Sequence, residues 1–307
     1  SSGRTSASPN ARIAIAVIGT RRRGLELATR LAARSDTDVP VLCDIDPSVL
    51  ATAGPRIVDA QGFAPEHLSD FRRVIDRDDL DAVVIATPDH WHALCCLEAA
   101  NNKKHIYCQK PITHTFAEGQ AVVEAVKKND VIFQVGSQQR SSGNFRRAVE
   151  LVQNGVLGKL KNVEVGLPQG NRNPPAAPKE PVKPPAHVDY NFWVGPSEMV
   201  PFIPARFHFH WRWHLNFGGG QLMDWIGHHN DIAHWVLGED QGGQTRVKAK
   251  NFSWSPVSVS KAPVDYEVQC EYAGGIRCSI GTHNRMGARF IGEDGWVYVN
   301  RGKLDAS

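Results

Sequence analysis

Ile13-Ala14-Ile15-Ala16-Val17-Ile18-Gly19-Thr20-Arg21-Arg22-Arg23-Gly24 runs six apolar, β-prone residues into a turn bounded by two glycines. Apolar residues then recur at three- and four-residue spacing from Leu25 to Ala33, the period of a helix. In a G-x-G-x-x-G turn the first glycine makes the bend, the second lets backbone approach a pyrophosphate, and the third allows close packing of the helix. Arg21 stands where the middle glycine would be. Such a side chain either swings outward to pair with a phosphate or blocks the site. The helix N-terminus still offers free N–H groups and a favourable dipole to an anion. Twenty-five residues after Gly19 the next apolar run ends in Cys43-Asp44. A carboxylate there can accept from both ribose hydroxyls of an adenosine and would repel a 2′-phosphate, favouring NAD over NADP. The competing reading is that Asp44 serves the next turn, with Asp46-Pro47 starting a helix.

Outward from this turn, β-rich runs alternate with helical periods as far as Gly136. The runs are Ile13 to Ile18, Val39 to Cys43, Ala82 to Ala86, His105 to Cys108 and Val131 to Val135; the helical segments are Leu25 to Ala33, His90 to Ala100 and Phe116 to Asn129. That order predicts a doubly wound parallel sheet covered by helices. A helix at Asn144 to Asn154 and a strand at Leu160 to Leu167 follow. Pro168 to Pro204 then holds ten of the nineteen prolines, which excludes regular helix or sheet interior. Its Tyr190, Phe192, Trp193 and Phe202 predict a loop that packs. Runs at Arg246 to Phe252, Val264 to Tyr272, Ile276 to His283 and Ala288 to Val299, with turns at Gly274-Gly275 and Asp294-Gly295, predict an α+β domain on a mostly antiparallel sheet. The expected division is 11–136 for a dinucleotide-binding domain and 137–307 for a substrate-binding and oligomerisation domain, to which elements beyond Ser307 could belong.

With 307 residues, two domains are the prior. Lys plus Arg number 35 against 32 Asp plus Glu, and the net charge of +3 comes with no long run of one sign, which argues against a nucleic-acid or membrane surface. No apolar stretch approaches the roughly 18 residues of a spanning helix. The six cysteines form no CxxC pair, and most lie in apolar runs as small core residues. Ser1 to Asn10 is polar without an apolar core; it is not a signal peptide, though it fits the stub left by one, so localisation stays open between cytoplasm and periplasm.

In open α/β sheets ligands lie beyond the carboxyl ends of the strands. Three such ends are unusual: Thr87-Pro88-Asp89-His90-Trp91-His92, Gln109-Lys110-Pro111 and Gly136-Ser137-Gln138-Gln139-Arg140. Farther on, the stretch from Phe207 to Leu237 holds six of the thirteen histidines and four of the eight tryptophans. Gly218-Gly219-Gly220 there opens a predicted helix, Gln221 to Leu237. At 100° per residue Leu222, Trp225, Ile226, His229, Ile232, Ala233 and Val236 share one face, and Asp224, His228, Asp231 and Trp235 the other. Asp224 and His228, four apart, are side by side, either as an ordinary ion pair on a solvated stripe or as chemistry. His229 reads as a hydrogen-bonded core histidine. His208, His210, His214 and His228 are dense enough to consider zinc, but they match no HExxH or spaced Cys/His pattern, so no metal is expected.

Taken jointly, the turn, the acid after the second strand, the Thr-Pro segment ending in His92, the Lys-Pro dipeptide and the D-x-x-x-H helix resemble the Gfo/Idh/MocA oxidoreductase family, over about Arg12 to Asn300. The GSQQR segment and GGGQLMDW at Gly218 to Trp225 are similar to a subgroup frequent in planctomycetes, whose members often carry an export signal. The resemblance implies a Rossmann-type first domain binding NAD, with NADP as alternative, through Gly19, Thr20, Arg21, Arg22, Gly24, Asp44, Thr87, Pro88, His92, Gln109 and Lys110. It implies Lys110, Asp224 and His228 as catalytic residues, with Gln109 and Arg21 departing from the family's usual Glu and Gly. Gln138, Arg140, Arg212, Trp213 and Gln221 are candidate contacts to a carbohydrate. The expected activity is hydride transfer between a nicotinamide cofactor and a secondary hydroxyl of a sugar, polyol or glycoside. Alternatives are NAD-dependent glycoside cleavage through a transient keto sugar, a non-catalytic sugar-binding relative with a degenerate nucleotide turn, and metal-dependent hydrolysis. By analogy with the family the chain would assemble as a dimer or tetramer.

Overall fold

The computed structural model describes residues 12–170, 179–256 and 259–307. It divides into two compact units, Ser1–Gly136 with Pro181–Phe202, and Ser137–Glu180 with Ile203–Ser307.

In the first unit, β1 (Ile13–Ile18), α1 (Arg23–Ala32), β2 (Thr37–Cys43), α2 (Pro47–Gln61), β3 (Glu66–Leu68), α3 (Phe71–Ile75), β4 (Ala82–Ile85), α4 (Asp89–Asn101), β5 (His105–Cys108), α5 (Phe116–Asn129) and β6 (Phe133–Val135) follow one another. The strands form one parallel sheet in the order β3-β2-β1-β4-β5-β6. Alternation along β1 explains why both faces are covered: Ile15 and Val17 pack with Ala28, Ala32, Leu50 and Ile57 of α1 and α2, whereas Ala16 and Ile18 pack with Val74, Ala93, Cys96 and Val122 of α3, α4 and α5. The order in which strands are added reverses between β1 and β4, so α1 and α4 begin on either side of the crevice at the strands' carboxyl ends. The sequence reading passed over β3 and α3, and of α2 it gave only the start at Asp46-Pro47. Gly54 and Pro55 lie inside α2 and mask its period, yet Asp46 caps it by accepting from Ser48 N at 2.9 Å, with Pro47 at the first helical position.

The loop rich in proline divides between the units, which corrects the expectation that everything after Gly136 belongs to the second. The reason is aromatic packing. Phe192 stacks on Phe71 at 6.3 Å and meets Trp91 edge-on at 5.3 Å, and Trp193 O accepts from Trp91 Nε1 at 2.9 Å.

The second unit carries α6 (Gly143–Gln153) and β7 (Leu160–Gly166); α7 (Tyr190–Val194) belongs to the first; then come α8 (Gly220–Leu237), β8 (Arg246–Trp254), β9 (Pro263–Glu271), β10 (Arg277–Gly281), β11 (Gly287–Gly292), β12 (Trp296–Asn300) and β13 (Lys303–Ala306). Seven strands lie in the order β13-β12-β11-β7-β10-β9-β8, and β7 pairs in parallel with β10 but antiparallel with β11. The run from Ala288 to Val299 is the hairpin β11–β12, folded back at the Asp294-Gly295 turn that the sequence predicts. Phe145, Ala148 and Val149 of α6 and Ile232, Ala233 and Val236 of α8 form one core with Val163, Val165, Ile280 and Phe290 of the sheet. All six cysteines are free and buried, four in the first unit and two in the second. Among the described residues no helix is long and apolar enough to cross a membrane.

Candidate active site

The turn after β1 is built by exclusion. Gly19 has φ +81°, and a Cβ there would lie 2.7 Å from the Ala86 carbonyl carbon and oxygen. A Cβ on Gly24 would lie 1.8 Å from Gly19 O. Both glycines are therefore required by close backbone approach, and α1 starts tight against the end of β4. The middle position needs no such freedom: Arg21 is exposed, and the non-glycine residue of the turn with positive φ is Arg22, at +41°.

The contacts of Asp44 are those of the second role the sequence left open, service to the turn. Its Oδ2 accepts from Thr20 N at 2.8 Å and from Thr20 Oγ1 at 3.3 Å, and its Oδ1 accepts from Asp46 N at 3.1 Å. The carboxylate braces the turn itself and keeps lone-pair capacity on Oδ1 for a hydroxyl. Burial raises its pKa against the lowering effect of the Thr20 and Asp46 hydrogen bonds.

At the end of β4, Pro88 precedes α4 as its cap. His92, expected to touch a cofactor, is placed otherwise: it is 1% exposed, and its ring nitrogens lie 2.6 Å from Pro111 O and 3.0 Å from Thr87 O. Carbonyls only accept, so a neutral ring donates to one of them and lies against the other, between the β4 and β5 loops. His90 and Trp91 hold Trp193 O, at 3.0 and 2.9 Å. Lys110, half-buried, opens the next loop at a cis Lys110-Pro111 peptide. Thr87 Oγ1 and Gln109 Nε2 are buried polar atoms with no hydrogen-bond partner among the described residues. A native fold rarely leaves such atoms unpaired. Two of them at adjoining strand ends, next to a glycine turn and a helix N-terminus, fit a ligand rich in hydroxyl, amide and phosphate groups.

In the second unit, α8 presents the expected apolar face to the core, and its other face is not a solvated stripe. His228 is 6% exposed, with its ring edge-on to Trp225 at 5.2 Å. Asp224 Oδ1 lies 3.5 Å from Arg212 Nε, and that guanidinium sits over the rings of Trp211 and Phe209 at 4.4 and 4.6 Å. Arg212, expected as a sugar contact, thus faces the carboxylate of the D-x-x-x-H pair. Arg140 is corrected outright. Its guanidinium grips Asp231 at 2.8 and 2.9 Å and Asp240 at 2.7 and 3.1 Å and lies over Trp235, so its donors are spent inside the unit. Gln138 Oε1 and Trp213 Nε1 are buried without partners among the described residues, which suits both to a ligand; Gln221, at the start of α8, is half-buried. His229 is fully buried, and burial, aided by the charge of Arg301, pushes its pKa down to about 4. Sequence reasoning gave no role to Gln139, which contacts His228 and His229 from 89 and 90 residues away. Only its place in a polar run after a strand could have flagged it. Among the described residues no three His, Cys, Asp or Glu side chains converge as metal ligands.

Residues 13–137 match the Gfo/Idh/MocA oxidoreductase family's NAD-binding Rossmann fold, and residues 142–302 match its C-terminal alpha/beta domain. The chain belongs to the Gfo/Idh/MocA family. A curated relative, myo-inositol 2-dehydrogenase of Thermotoga maritima, is 24% identical over 226 residues, 74% of this chain and 55% of that protein. The chain spans about half the length, or less, of the curated relatives it matches. The structure of levoglucosan dehydrogenase with NADH and levoglucosan superimposes with a TM-score of 0.72 at 23% identity, covering 96% of this chain and 76% of that one. Aldose-aldose oxidoreductase from Caulobacter crescentus, complexed with glycerol, gives 0.71 at 21% identity, covering 96% and 81%. At these identities the likeness to both structures shows a shared fold.

Proposed function

We propose that the protein moves a hydride between NAD and a secondary hydroxyl of a sugar, polyol or glycoside. The observation that carries this is the pair of buried atoms unpartnered among the described residues, Thr87 Oγ1 and Gln109 Nε2, beside the Gly19–Gly24 turn. Gly19, Thr20, Gly24 and Asp44 would hold the adenosine and pyrophosphate end, with Arg21 and Arg22 as exposed cations; Thr87, Pro88, Gln109 and Lys110 would line the nicotinamide end, and His92 lies between their loops. NAD when bound supplies the hydride acceptor. His228 takes the hydroxyl proton, since an imidazole is the side chain suited to that transfer near neutral pH. Lys110 would supply a cation for alkoxide character, and Asp224 orients the acceptor side with Arg212 as its counter-charge. Gln138 and Trp213 would bind sugar hydroxyls. A dimer or tetramer on the open face of the second unit's sheet belongs to the proposal, supported by Val247 and Trp254 of β8, each more than half exposed.

The test is to denature the purified protein, identify released nucleotide by mass spectrometry, and follow NADH formation across sugars and polyols. Lys110→Met and His228→Ala should each cut kcat by about 10²- to 10⁴-fold. Full turnover by His228→Ala at neutral pH would overturn the assignment, and NAD-dependent glycoside cleavage with no net NADH would move the reaction to the redox-neutral alternative.

A further inference from the structure

Helix α8 carries Asp224 and His228, and its apolar face alone does not say how it is rotated. Apolar contacts are non-directional, so a stripe of Leu222, Trp225, Ile226, Ile232, Ala233 and Val236 tolerates small turns about the helix axis. Hydrogen bonds do not. Gln139 is 4% exposed, and every group of its amide is used. Nε2 donates to His228 O at 3.0 Å and to His229 Nδ1 at 3.2 Å, and Oε1 accepts from Arg301 Nε at 3.1 Å. Because His229 Nδ1 accepts, the proton of that neutral ring is on Nε2. Arg140, the next residue, grips Asp231 with Nε and Nη2 and Asp240 with Nη1 and Nη2. Two consecutive side chains therefore fasten α8 at 228, 229 and 231 and just past its end at 240. Arg301, in the turn between β12 and β13, closes the set by lying over the Trp225 ring at 4.7 Å while it donates to Gln139.

We propose that Gln139 and Arg140 are positioning residues that set the rotation of α8 and so the aim of the His228 imidazole. This rests on the hydride-transfer reading for what His228 does, while the geometry of the clamp stands by itself. A misplacement of about 1 Å in a reacting group costs on the order of a hundredfold in rate, and freeing one turn of a helix moves its side chains by about that much.

The experiment uses the whole chain and three variants, Gln139→Leu, Gln139→Glu and Arg140→Lys, the last as a folded reference that keeps the charge but loses the forked grip. Expected for Gln139→Leu is a ten- to hundredfold fall in kcat with NADH affinity within twofold of the parent, and displaced ¹⁵N resonances of both His228 and His229. Gln139→Glu, which puts acceptors where His229 Nδ1 needs a donor, should protonate His229 near neutral pH, visible as an imidazolium signature. Arg140→Lys should show a smaller kcat loss in the same direction. Unchanged kcat and unchanged His228 resonances in Gln139→Leu and Arg140→Lys, with only a lowered Tm, would overturn the proposal. If the parent protein binds no NADH and turns over no sugar alcohol, the functional reading fails separately, and displaced or unmoved His228 resonances in the variants still decide the clamp. Should Gln139→Leu not fold, the Gln139→Glu and Arg140→Lys spectra decide in the same way.

Discussion

The turn between β1 and α1 and the helix α8 are both candidates for reactive ground, and they are held by opposite means. The turn is fixed by backbone, through two glycines with no room for a methyl and a carboxylate that accepts from an amide. The helix is fixed by side chains, an amide and a guanidinium reaching it from about 90 residues away. Backbone constraints leave a trace in residue types at fixed local spacing. Side-chain clamps leave almost none, because their partners are neighbours in space alone.

The sharpest way to break this contrast is to lower the pH. His229 and His214, both essentially unexposed in the second unit, have pKa values pushed from 6.5 down to about 4, in each case chiefly by burial. The unfolded chain takes up these protons near pH 6.5 while the fold refuses them until near pH 4. Their contribution is therefore complete above pH 6.5 and is lost as pH falls toward 4. At pH 5 the loss is about 2 kcal/mol for each, at roughly 1.4 kcal/mol per pH unit. Urea denaturation at pH 7.5 and 5.0, followed by tryptophan fluorescence, should register a drop of about 4 kcal/mol. A flat profile across that window would mean that α8 and the segment before it do not rest on neutral histidines.

The first region breaks by sterics. Gly24→Ala puts a methyl 1.8 Å from Gly19 O, which backbone alone would have to relieve. The expected cost is about 3 kcal/mol of stability, the upper part of the range for overpacking, with NADH binding lost. Retained stability and affinity would show that the turn has slack the structure does not display.

This contrast also accounts for what the sequence made legible. The parallel sheet was readable because β1, β2, β4 and β5 are short apolar runs ending in turn chemistry, and the ends of those runs are where the candidate site lies. β3, three residues long and half exposed, has no pattern to read, and Pro55 hid α2. His92 was legible as a site residue but not in its role, since Pro111 O and Thr87 O, which engage its ring, are backbone atoms that no residue type announces. Arg140 was misread for a related reason. Arginine in a polar loop suits a sugar, and nothing local reveals that Asp231 and Asp240 close on it. The apolar face of α8 was readable from its period. The burial of His228 was not, because burial of the polar face depends on what packs against it.

Asp44 carries the smallest effect and sharpens the comparison most, because the proposed function adds ligand recognition to the backbone bracing it performs. Asp44→Asn keeps one carbonyl oxygen for Thr20 N and turns an amide group toward Asp46 N, so one donor loses its acceptor, at about 1 kcal/mol. If bracing were all that Asp44 did, NADH and NADPH would weaken together, by about fivefold. The carboxylate also brings a negative charge to the position where an adenosine 2′-phosphate would have to sit, and the substitution removes it. Expected, therefore, is weaker NADH binding with stronger NADPH binding, a change in their ratio of about tenfold by fluorescence titration. A ratio that stays fixed while both affinities fall would leave Asp44 a brace alone and pass the choice of cofactor to Arg21 and Arg22, the exposed cations of the same turn.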